Sequence, residues 1–130
     1  VGVMYLEYEG VKVYFIDNEY YFNGPTPYGD VKWDIEKFCY FSKAALSILP
    51  SIGFQPDIIH CHDWQAGLVP VYLKTLFAGD LFYTSMKSVM TIHNLQLQGK
   101  WDIKTIQEYS GLPDYVETGI SLRFRKMQLC

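Results

Sequence analysis

The sequence predicts an α/β fold: a partial Rossmann-like parallel sheet with flanking helices, preceded by a β-hairpin. Three observations lead there. Two short, almost wholly apolar runs, Asp57–Cys61 and Ser88–His93, flank a helical stretch; strand, helix, strand of this kind is a βαβ unit, whose sheet is parallel and whose crossover is right-handed. A long segment from Asp34 carries apolar residues at helical spacing. Ahead of both, two β-prone runs are joined by a tight Gly-containing turn.

Val1–Tyr8 and Val11–Asp17 are the β-prone runs, and Glu9-Gly10 between them is the chemistry of a two-residue hairpin turn. Asn23-Gly24-Pro25-Thr26-Pro27-Tyr28-Gly29-Asp30 is a loop by its turn residues. From Asp34 to Leu49, Phe38, Phe41, Ala45 and Ile48 mark one helical face; Asp34 is a suitable N-cap and Pro50 a stop. A second helix is expected from Ala66 or Gly67 to about Phe77, with Pro70 in its first turn, where a missing N–H costs nothing. Ile103–Tyr109 and Ile120–Gln128 each read as a short helix, with Gly111-Leu112-Pro113 between them.

The length of 130 residues suits one domain. Half the residues are apolar, and 11 Tyr and 8 Phe supply the bulk of a core, which sets disorder aside. The net charge of −3, with Lys and Arg scattered, leaves no electrostatic footprint for nucleic acid. Cys39, Cys61 and Cys130 form neither a disulfide framework nor a paired metal spacing. No apolar run is long enough for a membrane span and no signal peptide opens the chain, so the setting expected is cytoplasmic, without a membrane partner. Val1, inside a β-prone run and without a start Met, reads as the opening of a piece of something longer.

All three histidines stand at the carboxyl ends of the two expected parallel strands: His60 and His62 on one, His93 on the other. Ligands of open α/β sheets bind outside those ends, so His62, Asp63, His93 and Asn94 are expected to converge on one mouth. His60-Cys61-His62-Asp63-Trp64 admits three readings. In the structural one, Asp63 caps the next helix, His60 is a satisfied core histidine and Trp64 is packing. In the second, His-x-His with a carboxylate holds zinc or iron, although no fourth ligand beyond His93 is evident. In the third, His and Asp bind the hydroxyls of a polar substrate. Tyr20, Tyr21, Phe22 and Tyr28 around the Asn-Gly-Pro loop suit either core packing or stacking on sugar faces. Neither a G-x-G-x-x-G or Walker A phosphate loop nor a Ser nucleophile elbow is present.

Four segments, in order, carry a resemblance. Asp17–Asn23 (D-N-E-Y-Y-F-N), Glu36–Leu46 (E-K-F-C-Y-F-S-K-A-A-L), Pro56–Lys74 (P-D-I-I-H-C-H-D-W-Q-A-G-L-V-P-V-Y-L-K) and Thr91–Gly99 (T-I-H-N-L-Q-L-Q-G) resemble bacterial glycogen synthases and plant starch synthases. The H-x-H-D-W-Q and T-I-H-N-L-Q blocks together are highly specific. The resemblance implies a GT-B glycosyltransferase, two Rossmann-like domains with the active site between them, of which residues 1–130 are a fragment of the N-terminal, acceptor-side domain. It implies transfer of glucose from ADP-glucose to the non-reducing end of an α-1,4-glucan such as glycogen, with retention and with neither metal nor cofactor. By motif position it makes His93 the histidine that contacts the donor glucose at the reacting centre, Asp63 the aspartate facing the sugar cleft, and His62 and Asn94 substrate-binding neighbours.

The family's K-x-G-G-L loop and its C-terminal Lys and Arg do not occur in these residues, so the isolated chain is expected to be inactive. Leu97 stands where the family usually has Tyr and Gly24 where Arg is common. Ser121–Cys130 departs from the usual N-F-M-K pattern and is assigned no site. Two rivals are a stand-alone carbohydrate-binding module and a structural remnant. A truncated sheet with an open edge implies self-association as well.

Overall fold

The computed structural model describes residues 1–113. Its elements in order are β1 (Gly2–Tyr8), β2 (Val11–Asp17), α1 (Glu19–Phe22), α2 (Val31–Ser47), β3 (Ile58–His62), a 3₁₀ turn (Trp64–Ala66), α3 (Val69–Leu73), β4 (Lys87–Thr91) and α4 (Ile103–Ser110). β1 and β2 pair antiparallel, with Tyr8 opposite Val11. Glu9 (φ 50°) and Gly10 (φ 77°) both turn left-handed between them, the geometry whose twist matches a two-residue hairpin. β3 and β4 pair parallel, from Ile58 opposite Lys87 to His62 opposite Thr91. The α/β class, the hairpin and the parallel pairing are as the sequence predicts.

Four expectations need correction. Helix α2 is capped not by Asp34 but by Asp30, whose carboxylate accepts the N–H groups of Lys32 and Trp33. Asp34 lies one turn inside, buried, accepting the Gly29 N–H and paired with Lys37 Nζ at 2.8 Å. Lys37 also donates to the Pro27 carbonyl, so this ion pair ties the Pro27–Gly29 loop to the helix.

The core-facing stripe of α2 is also rotated. Ile35, Cys39, Ser42 and Leu46 are fully buried, whereas Phe38, Phe41, Ala45 and Ile48 are half-buried. Phe41 and Ala45 instead border a groove of about 410 Å³ with Leu49, Phe54 and Ile58.

The second helix is shorter than expected. Pro70 does sit in its first turn, but beyond Leu73 the N–H groups of Lys74 and Thr75 bond carbonyls three residues back and the chain goes into turns.

Finally, the parallel strands are not buried on both faces. Ile59 and Cys61 point toward the helices, while Ile58, His60 and His62 point outward; on β4, Val89 is also exposed. Helices cover one face only, so a run that reads as continuously apolar splits by the period of two.

One core gathers Leu46, Cys61, Val69, Tyr72, Leu73, Tyr83, Met86 and Leu112. Its two tyrosines satisfy their hydroxyls on carbonyls: Tyr83 on Leu46 at 3.0 Å and Tyr72 on Ser110 at 2.9 Å. The cysteines Cys39 and Cys61 are buried in the free form, and burial pushes the Cys39 thiol up to about 12, away from nucleophilic use. Of the two short helices expected near the end, α4 matches the first, with Asp102 accepting the Thr105 N–H and a left-handed Gly111 closing it. The second, and the divergent tail, lie outside the described residues.

Candidate functional site

The strands stop where the histidines stand. β3 runs regularly through His62, so His60 and His62 share the outward face, ring centroids 4.3 Å apart. The ladder gains one more bond, Asp63 N–H to Thr91 carbonyl at 2.9 Å, and both chains then leave the sheet. His60 Nε2 meets Thr91 Oγ1 at 2.7 Å. His62 Nδ1 meets His93 Nε2 at 3.1 Å, with 27° between the two ring planes. His60 is thus an exposed, strand-end histidine rather than a core one.

Asp63 connects the two strand ends. Its carboxylate oxygen Oδ1 accepts the backbone N–H of His93 at 2.7 Å and that of Asn94 at 3.4 Å. These bonds, the first above all, hold its carboxyl below the usual carboxylate range, with the nearby His93 and His62 rings adding to the effect. Although Asp63 precedes the 3₁₀ turn, its side chain makes no cap bond there; the capping reading is replaced by a tether across the strand ends. Its backbone, at φ 55° and ψ −175°, lies in a region that is essentially glycine's and costs about 1–3 kcal/mol for other residues.

A stability comparison follows from that backbone. Asp63→Ala keeps the strain and loses the tether, whereas Asp63→Gly loses the tether and relieves the strain. In urea unfolding the Gly variant should be more stable than the Ala variant by about 1–3 kcal/mol; equal stabilities would show that position 63 is unstrained. The pH dependence of the tether has a definite sign. Because folding lowers the Asp63 carboxyl, its contribution is complete above the unfolded pKa and is lost as pH falls through the lower folded one. The amide resonance of His93 in an acid titration would report this.

Sequence reasoning placed His62, Asp63, His93 and Asn94 together, and the structure brings all four to one mouth at the carboxyl end of the parallel pair. Asn94 is turned partly to its own loop: its Oδ1 accepts the Gln96 N–H at 3.0 Å. Three features support them, and of these only the packing of Trp64 was among the sequence readings. Trp64 packs edge-on against Phe38, centroids 5.0 Å apart, and Gly99 (φ 56°) lies so close over the indole that a Cβ there would come within 3.0 Å of three ring carbons. Gln65 Nε2 donates to the Tyr28 hydroxyl at 3.0 Å, which holds the Asn-Gly-Pro loop beside the site. The third is the His60–Thr91 bond. Among the described residues, no group of three or more His, Cys, Asp or Glu side chains is arranged to hold a metal ion. Around the loop Tyr21 is partly buried, packed on Tyr40 and bonded to Glu36, whereas Tyr20 and Tyr28 are exposed.

Comparison with known proteins shows the family of the chain. The family described as the starch synthase catalytic domain matches residues 1–128. A glycogen synthase of Lachnospira eligens is 61% identical over 114 residues, covering 88% of this chain and 24% of that protein. One from Lachnoclostridium phytofermentans is 56% identical over 115 residues, with the same coverage. Among solved structures, the catalytic domain of starch synthase IV from Arabidopsis thaliana, bound to ADP and acarbose, superposes with a TM-score of 0.70 at 36% identity, over 80% of this chain and 21% of that one. The chain spans about a quarter of the length of the relatives it matches. A match from residue 1 to residue 128, taken with identities above half to glycogen synthases, means that the chain belongs to the starch and glycogen synthase family of glycosyltransferases.

Proposed function

We propose that this chain is the acceptor-side part of a glycogen synthase that, complete, transfers glucose from ADP-glucose to the non-reducing end of an α-1,4-glucan with retention. The observation that carries the reading is the Asp63 carboxylate holding the backbone of His93 at 2.7 Å, at the sheet edge where open α/β folds bind ligands, in a chain of this family. His93 acts at the reacting centre on the donor glucose. Asp63 faces the sugar cleft and fixes the loop bearing His93, while His62 and Asn94 meet substrate hydroxyls. As the anomeric carbon becomes cationic, oriented hydrogen bonds and a nearby negative charge strengthen their hold. The groups that gather here are His, Asp, Asn and Thr, so the cations that neutralise the departing ADP come from the remainder of the enzyme. ADP and acarbose in the Arabidopsis relative support a nucleotide and a glucan as ligands.

The enzyme works in the cytoplasm without metal or cofactor; among the described residues no helix is long and apolar enough to cross a membrane. Alone, the chain self-associates along the open groove beside β3, where Phe54 and Ile58 are more than half exposed. A stand-alone sugar-binding module is not favoured, since the matches run through synthase catalytic domains.

The test is incorporation of radiolabelled glucose from ADP-glucose into glycogen. The complete enzyme containing this segment should incorporate label, and the isolated chain should stay at the level of a heat-killed control. A folded complete enzyme with no incorporation sinks the reading; incorporation by the isolated chain sinks the claim that the remainder supplies the charge compensation.

A further inference from the structure

His62 and His93 sit on different strands, yet their rings meet nitrogen to nitrogen, Nδ1 to Nε2, at 3.1 Å. Two imidazole nitrogens at that distance need one proton between them. Two lone pairs facing each other repel, and two N–H groups collide. Whichever ring donates, the tautomer of the other is set, because an accepting Nε2 in a neutral ring leaves the proton on Nδ1. His62 is in turn held in place: its strand is paired with β4 through Thr91, and its ring lies 4.3 Å from that of His60, which is anchored on Thr91 Oγ1. On the other side, the His93 backbone is fixed by Asp63. The ring of His93 is therefore constrained from its main chain and from its side-chain nitrogen independently.

We propose that His62 is a positioning residue for His93, fixing its ring orientation and its tautomer through the single proton shared by Nδ1 of His62 and Nε2 of His93. Its effect on glucosyl transfer rests on the function proposed above, but the tautomer itself does not. Substrate then meets a His93 whose remaining nitrogen has one defined character, donor or acceptor, before it arrives.

Two measurements on the complete enzyme test this. In ¹⁵N-histidine-labelled enzyme, the ring nitrogens of His93 should show one tautomer in the wild type and an average of both in His62→Ala. In kinetics, His62→Ala should lower kcat about ten- to a hundredfold, the range for losing an orienting partner, with KM for ADP-glucose changing less. His62→Asn, which sets an amide near the place of Nδ1, should stand several-fold above His62→Ala. An averaged His93 in the wild type, or a His93 signal unchanged in the Ala variant, overturns the proposal, as does a folded His62→Asn enzyme no better than His62→Ala. If His62→Ala does not fold, the wild-type spectrum and the Asn variant decide. A locked tautomer in a wild-type enzyme without transferase activity would count against the proposed reaction and leave the His62–His93 pair standing.

Discussion

On the proposed reading, a folded His93→Ala synthase should turn over about 100- to 1000-fold more slowly than the wild type, the loss typical of one preorganised hydrogen-bonding group at a developing charge. Its KM for ADP-glucose moves far less. The reason lies in how His93 is held. It follows strand β4 at the sheet edge, its backbone N–H is bound by Asp63 and its ring by His62, so little reorganisation is needed as the reaction proceeds. A ring nitrogen that accepts from a sugar hydroxyl gains strength as positive charge develops on the sugar, which lowers the barrier without tightening the ground state. The ring is exposed, so its removal opens no core cavity, and thermal unfolding of the variant should resemble that of the wild type. A folded variant with near-normal kcat would take His93 out of the reaction.

Gly99→Ala should destabilise the chain by about 2–5 kcal/mol and lower turnover of the complete enzyme with it. Two effects add. The left-handed backbone at φ 56° costs about 1–2 kcal/mol for a residue with a Cβ. The methyl group would also press into Trp64, and forcing extra volume into a packed contact costs about 1–3 kcal/mol. The indole cannot withdraw freely, because its edge rests on Phe38 of α2. Trp64 follows Asp63 directly, so displacing the indole also disturbs the tether to His93. Chemical denaturation gives the first quantity and glucose incorporation the second. A Gly99→Ala protein as stable as the wild type would show that the Gly99–Trp64 approach is not required.

Much of this was legible beforehand, for a physical reason. The strands β3 and β4 are short apolar runs ending in polar residues, and a parallel pair brings its carboxyl ends to one side. His62, Asp63, His93 and Asn94 could therefore be placed together from their positions alone. Their partners could not. That the Asp63 carboxylate reaches the His93 N–H rather than its own helix depends on a strained backbone that no pattern announces. Asp34 reads as the cap because it stands just ahead of the apolar spacing, whereas the helix begins one turn earlier, on Asp30, and Asp34 is buried against Lys37. Phe41 and Ala45 read as core because their spacing is that of a buried helix face, yet they border an open groove. Periodicity reports which residues shun water and not which neighbour covers them. The family resemblance supplied the chemistry, and the match across residues 1–128 shows the family.

The bonds that make the mouth all join distant parts of the chain: Asp63 to His93 across 30 residues, and His62 to His93 and His60 to Thr91 across 31. In kinetic terms the site is the product of one long loop closure. Helix α2 can form from local contacts, but no local turn assembles any two of these histidine contacts across the strands. Closure of such a loop is an entropic cost met before any of the bonds exists, which makes parallel pairing slow relative to helix formation. A chain with its helices formed but β3 and β4 unpaired therefore has no mouth, and substitutions that weaken the β3–β4 ladder remove it without touching a single residue of it.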